Sequence, residues 1–491
     1  MSVLALGGCS AHDDRGGSAR EGGSIAVGAS NVPSTLDPSL ATDARALQAL
    51  WLVYTPLLTY RHAEGRDGTD PVPGLARDLP EVSDDGLTYT FRLRRGLRYS
   101  NGARVRAGDF ERAVKRVREL RSPLAPLYAG ISSIDADARS GSIRVTLTHP
   151  DPAFPHILAL PSSAPLPRGT EAKDLSGRPP PGLGPYRIAD VGKGRRMVLA
   201  RVRDFHLAEV PAGHVDNIAL VRGGSAVRQA RAVITGQLDL MQEVAPTDLL
   251  PEIRSKYNDR YREDPTTSTV ALIPDSGAPP FDDPAVRGAV SESLDGEKLV
   301  RLYKGLLESS CNFLPEAVDG YRPLDPCPYG DRDEPADLVS AHERIQEAAA
   351  ENARVSVRAG VGTPPVVARY VVLALRKVGL DATFRGGAGA RLSVERIAPL
   401  VAHPEAFFER ITRRTLDAQL SEEVAEGIEP SDGEEADDAW ASADERVVTE
   451  GYAVPLGTEL QPSLLSERMD AENCARFHPV FGLDLSSLCL K

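Results

Sequence analysis

Residues 87–110 read LTYTFRLRRGLRYSNGARVRAGDF. Tyr89, Phe91 and Leu93 alternate with Thr88, Thr90 and Arg92, the period-two pattern of a strand with one face buried. Gly96 ends that alternation, and Ser100-Asn101-Gly102 predicts a tight turn, because Asn-Gly tolerates the positive φ such turns demand. From Asp109 the apolar positions Phe110, Ala113, Val114, Val117 and Leu120 fall at helical spacing. The stretch therefore predicts strand, turn, strand and helix in quick succession.

The rest of the chain continues in the same α/β manner. A strand is expected near Ser24-Ile25-Ala26-Val27. A helix should follow from about Ala44, capped by Thr42 or Asp43, with Leu47, Leu50, Trp51, Tyr54, Leu57 and Leu58 on one face. A helix through Val227, Ala230, Val233 and Ile234 should stop at Gly236. Asp283 with Pro284 reads as a helix start, since proline at the first helical position gives up no bond the helix would make. Val286, Ala289, Val290 and Leu294 form that helix's apolar stripe. Val355-Ser356-Val357, a helix through Val367, Val371 and Leu375, and Leu380-Asp381-Ala382-Thr383-Phe384 read as a strand, helix and strand crossover. Gly360 and Gly362 invite a dinucleotide fingerprint, but the third glycine position is Pro365, so the plain crossover is preferred.

At 491 residues the chain is too long for one core and should divide into two or three domains. A net charge of −13 offers no basic footprint for nucleic acid, and no internal run approaches the roughly 20 apolar residues of a membrane span. The hydrolase, zinc-peptidase and P-loop signatures are absent and the nine histidines are scattered, so no enzyme, cofactor or metal site is expected. Residues 421–438 carry Glu422, Glu423, Glu426, Glu429, Asp432, Glu434, Glu435, Asp437 and Asp438. Pro430, Ser431 and Gly433 interrupt the run, which is read as a solvated loop between helices rather than a cation site.

Several segments, in order, carry a family resemblance. The opening stretch, Ser30-Asn31-Val32-Pro33-Ser34-Thr35-Leu36-Asp37-Pro38, Val53-Tyr54-Thr55-Pro56-Leu57, Gly182-Leu183-Gly184-Pro185-Tyr186, Thr235-Gly236-Gln237-Leu238-Asp239-Leu240, Pro280-Phe281-Asp282-Asp283-Pro284 and Ala453-Val454-Pro455-Leu456 together resemble the extracellular solute-binding proteins of the peptide and nickel ABC importers, family 5. The resemblance implies a two-lobed α/β fold of the periplasmic-binding-protein type (type II, cluster C) with an extra subdomain in the first lobe. It assigns residues 24–50, 183–265 and 452–491 to the first lobe, 51–182 to the extra subdomain and 266–451 to the second lobe. The family's additional segment between Phe408 and Leu416 is missing or condensed, which makes the second lobe smaller.

Function follows as an expectation of that resemblance. A solute, foremost a peptide, would be captured in the cleft between the lobes and delivered to ABC permease subunits by a monomeric receptor. Contacts are expected from Asn31, Val32, Pro33 and Ser34 and from the second-lobe segment RIAPLVAHPEAFF at 396–408; the family commonly carries there a Trp and an Asp that hold the peptide's amino group, whereas here no Trp is present, the Asp before Pro appears as His403, and Glu405 follows close behind. A buried ammonium needs an opposing carboxylate, and Glu405 is the one near enough in sequence. The changed residues around His403 leave open a receptor for a non-peptide solute, or a surface lipoprotein that signals without transporting.

The cysteines divide into two kinds. Leu6-Gly7-Gly8-Cys9 resembles a lipobox, with Cys9 the acylated anchor to the outer face of the cytoplasmic membrane and residues 10–23 a polar, flexible tether. Residues 1–9 then make a truncated lipoprotein signal without a basic start, as a start codon assigned too late would produce. Cys311, Cys327, Cys474 and Cys489 remain, an even number that suggests two disulfides outside the cytoplasm. Of three possible connectivities, Cys311 with Cys327 and Cys474 with Cys489 close the shortest loops.

Overall fold

The computed structural model describes residues 21–192, 194–330, 333–387, 389–413, 415, 417–428 and 433–491. Cys9, the tether up to residue 20, and Glu429, Pro430, Ser431 and Asp432 of the acidic run lie outside the described residues.

Two long strands organise the molecule. Tyr261–Pro274 and Val454–Leu465 pair antiparallel, from Tyr261 opposite Leu464 at one end to Leu272 opposite Val454 at the other. At the first end the sheet continues through Leu240–Met241, Ser24–Ala29, Asn217–Arg222, Arg196–Arg201 and Tyr186–Asp190, the first lobe. At the other end it continues through Leu392–Ile397, Arg354–Ala359 and Asp381–Phe384, the second lobe. The register between the long strands is interrupted between Pro265 and Thr269, midway between the lobes. Proline has no N–H to give a ladder, and the pairing resumes with Thr269 opposite Thr458 before a second shift between Val270 and Ala271.

Side chains on one strand face alternate sides, and here the alternation feeds two cores. Val270 and Leu272 enter a cluster with Val286, Val371 and Leu375, whereas Ala271 and Ile273 enter one with Phe313, Phe407, Phe408 and Trp440. Each Val, Leu or Ile buried this way contributes about 1.5–3 kcal/mol, so the second lobe is a three-layer sandwich held from both faces. The expected crossover is present as Arg354–Ala359, the helix Pro365–Lys377 and Asp381–Phe384, with parallel pairing of the two strands. Asp283 caps the helix Pro284–Glu292 through a 2.8 Å bond from the Ala285 N–H.

The extra subdomain has its own four-stranded antiparallel sheet, Glu81–Val82, Thr88–Arg92, Ser142–Leu147 and Ile131–Asp137, backed by the helix Gly108–Glu119. Tyr89 and Phe91 face its core, as their alternation requires. The second strand of the opening motif is reduced to a single bridge between Arg98 and Arg104 around the Asn101-Gly102 turn. Gly182 and Gly184 return the chain against the Leu52 and Val53 carbonyls, where a Cβ at either position would collide with backbone.

Two expectations are corrected. The helix capped by Asp43 ends at Trp51, short of Tyr54, Leu57 and Leu58. Pro56 disfavours helical backbone at Thr55, and the chain instead enters the strand Leu58–Tyr60. The acidic run is not a loop: its described residues lie on helices Ala418–Ile428 and Gly433–Thr449. Leu420, Val424, Trp440, Ala443 and Val447 give these helices a buried stripe beneath the charges, and Glu423 pairs with Arg446 at 2.9 Å. The structure joins Cys311 to Cys327 and Cys474 to Cys489, with Cα separations of 5.7 and 5.6 Å.

Candidate functional site

Between the lobes, at the crossing strands, lies a chamber of about 360 Å³. Its first-lobe wall comes from the N-terminal turn of the helix Ala44–Trp51, which Asp43 caps by accepting from the Ala46 N–H at 2.9 Å, so that Arg45 and Gln48 face inward. Arg45 Nη2 meets Glu243 Oε1 at 2.8 Å. Glu243 also accepts from the Ser30 N–H and hydroxyl, both at 2.6 Å, and from Gln229 Nε2 at 2.8 Å. Burial works against the charge of Glu243, but these donors and Arg45 hold its carboxyl below the ordinary range. The opposite wall is Arg396, from the second-lobe strand Leu392–Ile397, with Nε 2.5 Å from Glu459 Oε2 and Nη2 3.0 Å from the Ser268 hydroxyl. Leu460, Pro462, Val480 and Phe481 supply an apolar floor. The chamber thus offers a cation and an anion on each wall around a greasy centre, a fit for a small solute with ends of both signs.

The sequence-nominated residues occupy two places. The 31–34 loop is tied to the first lobe beside this chamber: Ser30 is bound to Glu243, Pro33 is buried, Val32 packs on the first-lobe core and the Ser34 hydroxyl donates to Asp43 Oδ2 at 2.6 Å. Asn31 and Ser34 are exposed. His403 and Glu405 stand elsewhere, where the second lobe presses on the extra subdomain, and neither lines the chamber. The His403 ring packs edge to face on His156 and on Trp440, and among the described residues its Nδ1 has no partner. Burial pushes its pKa well below the ordinary value. Glu405 begins the helix Glu405–Thr412; burial, with help from Asp151 and Glu409, raises its carboxyl to about 7, and its Oε2 is buried without a partner among the described residues.

Sequence reasoning passed over Arg45, Glu243 and Glu459, and named Arg396 only as the first residue of its candidate segment. Arg396 lies inside the nominated 396–408 segment, where the strand pattern of Leu392, Val394 and Arg396 against Ser393, Glu395 and Ile397 was the available signal. Asp470, Cys474 and Cys489 are the group of described residues near enough to share a metal ion, but the two sulfurs are bonded to each other and offer no thiolate. Among the described residues no helix is long and apolar enough to cross a membrane.

Known proteins share this fold. Glutathione-binding protein GsiB of Salmonella choleraesuis (strain SC-B67) is 26% identical over 330 residues, 66% of this chain and 60% of the relative. Its counterpart in Escherichia coli (strain K12) is 25% identical over 334 residues, 67% of this chain and 61% of the relative. The match therefore spans about 60% of the length of these curated relatives. Among solved structures, clavulanic acid biosynthesis oligopeptide binding protein 2 superposes with a TM-score of 0.84 over 96% of both chains at 22% identity. The Helicobacter pylori periplasmic binding protein DppA, in complex with peptide STSA, gives 0.70 at 19% identity, over 96% of this chain and 98% of that one. These likenesses establish the two-lobed fold. The family description "Bacterial extracellular solute-binding proteins, family 5 Middle" matches residues 70–433, well over half of the sequence, and the chain belongs to that family.

Proposed function

We propose that this protein is the solute-capturing component of an ABC importer, anchored through lipid on Cys9 outside the cytoplasmic membrane, which closes its lobes around a peptide or peptide-like solute and presents the closed form to permease subunits. The carrying observation is the chamber that Arg45 and Glu243 wall from the first lobe and Arg396 from the second, with Glu459 on the crossing strand Val454–Leu465 between them. A solute that bridges them gains its full set of contacts only when the lobes are closed, so it shifts the hinge equilibrium by its differential affinity for that state. The paired charges suit the ends of a zwitterion, and the relatives named for glutathione and peptides agree with that chemistry. In this reading the 31–34 loop flanks the solute through Ser30 and Glu243, while His403 and Glu405 stand at the seam that must part for entry. The protein acts as a monomer, by binding rather than by catalysis.

The test is native mass spectrometry of protein from its own host, followed by thermal denaturation with a pool of short peptides and with glutathione. A co-purified small solute, or stabilisation that reaches about 2.7 kcal/mol at a hundredfold excess over Kd, is expected. No retained solute and no shift with any of these compounds would overturn the proposal.

A further inference from the structure

Next to the chamber, on the second lobe, the structure holds an arginine-walled hollow. One cavity of about 560 Å³ is lined by Arg396, Pro399, Glu409, Arg410 and Arg413 and shares Arg396 with the chamber. A further cavity of about 750 Å³ shares Arg413 and adds Asp275, Arg358 and Ser393. Beneath them sits Glu395, whose side chain is only 4% exposed. Arg358 Nη2 donates to its Oε1 at 2.6 Å, the Ser393 hydroxyl donates to the same oxygen at 2.8 Å, and Arg410 Nη1 donates to its Oε2.

This is a built arrangement, because the three charged groups come from three elements: the strand Leu392–Ile397, its neighbour Arg354–Ala359 and the helix Glu405–Thr412. Among the described residues two guanidinium groups, Arg358 and Arg410, face this carboxylate, so positive charge predominates. The other ions around the hollow pair off, Arg396 with Glu459, Arg413 with Glu409 and Arg391 with Asp275. A positive hollow in a chain of net charge −13 is a local departure from the protein's overall field. Guanidinium donors fixed by a buried carboxylate are oriented before a ligand arrives, and their planar fork matches another carboxylate.

We infer that the hollow receives an acidic side chain of the solute, so that the receptor selects acid-bearing peptides or peptide-like compounds. The inference rests on the chamber being the solute site. There the two arginine–glutamate pairs meet the two ends of a zwitterion, and the adjoining hollow is left for a third charge. The planar forks of its guanidinium groups match the two oxygens of a carboxylate.

The experiment is calorimetry with two tripeptides, Ala-Glu-Ala and Ala-Gln-Ala, on wild type, Arg410→Gln and Arg413→Gln. Arg410 is half exposed and Glu395 keeps Arg358, so the first variant should fold, and circular dichroism checks it; Arg413→Gln, at the rim, tests the same hollow if it does not. The expected result is binding of the glutamate peptide about tenfold tighter than the glutamine peptide by wild type, with that preference lost in Arg410→Gln and reduced in Arg413→Gln. Equal wild-type affinities would overturn the inference and leave the chamber reading in place. Binding of neither peptide would overturn both. Inorganic phosphate that binds wild type more tightly than the glutamate peptide, and loses that affinity in Arg410→Gln, would overturn the assignment to a carboxylate.

Discussion

His156 of the extra subdomain and His403 of the second lobe meet edge to face, ring centroids 5.2 Å apart, and together form the centre of the seam between the lobes. His156 Nδ1 lies 3.2 Å from the Tyr60 hydroxyl, to which the Ala402 N–H also points at 3.4 Å. Trp440 closes the other side of His403, with centroids 5.7 Å apart. Both rings are buried, and burial drives the pKa of His156 down to about 3 and that of His403 well below its ordinary value. Two imidazolium ions could not share this contact.

That contact makes stability depend on pH in a definite direction. Below about pH 6.5 an exposed histidine takes up a proton that the packed one refuses, so the packed state loses stability as pH falls. Glu405 works oppositely: the packed state keeps its proton up to about pH 7, and stability falls as pH rises from the ordinary carboxyl value to that point. Asp151, raised by burial, adds to the Glu405 side, and His149 opposes it. The difference between wild type and His403→Gln isolates one imidazole. Denaturant unfolding from pH 5 to 8 should show wild type losing up to about 1.4 kcal/mol per pH unit more than the variant below pH 6.5, and nothing extra above it. A difference that is flat with pH would refute the account.

The sequence revealed what depends on local pattern. Asp43, Asp283 and the Arg354–Ala359 to Asp381–Phe384 crossover were legible because caps and periodicity are written within a few residues. The acidic helices were misjudged because counting charge hid the 3.6-residue recurrence of Leu420, Val424, Ala443 and Val447. The site was less legible because its residues meet only in space. The 396–408 segment contains no Trp, yet Trp440 arrives from the helix Gly433–Thr449 to stack on Phe408 at 5.8 Å and to cover His403. Likewise Arg45 and Glu243, 198 residues apart, form one wall of the chamber.

The buried pair of Asp37 and Arg116 should matter most to the first lobe. Arg116 Nη1 and Nη2 each donate to the Asp37 carboxylate at 2.6 Å, and the guanidinium also donates to the Glu171 and Lys173 carbonyls. Both side chains are almost fully buried, so Asp37→Ala strands a cation. Its cost should be about 3–5 kcal/mol, read as a lower urea midpoint at unchanged slope. A loss below 1 kcal/mol would mean that water reaches Arg116.

Two disulfides should be found in the mature protein. The Cys311–Cys327 and Cys474–Cys489 bridges close loops with sequence separations of 16 and 15 residues, for which restriction of the unfolded chain contributes about 3 kcal/mol each. Mass spectrometry without reduction should find none of these four thiols alkylatable, and Cys474→Ala with Cys489→Ala should lower stability by about that amount. Free thiols at two or more of them in secreted protein would refute the pairing.

The proposed anchor is tested separately from folding. With a complete signal peptide supplied, Cys9→Ser should release the protein into the medium, since the tether carries almost no apolar residue that would hold it at a membrane. Retention of the variant in the membrane fraction would rule out Cys9 as the sole attachment.

Glu405 separates seam from solute site. The sequence offered it as partner to a peptide ammonium, whereas in the structure its nearest charged company is Asp151 and Glu409, with His149 the opposing group. A carboxylate so placed is costly when ionised, and Glu405→Gln removes that cost without changing shape. Above pH 7 the variant should be more stable than wild type by about 1–2 kcal/mol, the full shift being discounted for the group's partial contact with solvent; well below the ordinary carboxyl value, where the carboxyl is protonated in both states, the two should converge. Solute affinity should stay within about twofold of wild type, because Arg45, Glu243, Arg396 and Glu459 make the chamber. A loss on the order of 2–5 kcal/mol in binding would instead mean that a desolvated ammonium lies against Glu405 and that the solute reaches past the chamber into the seam.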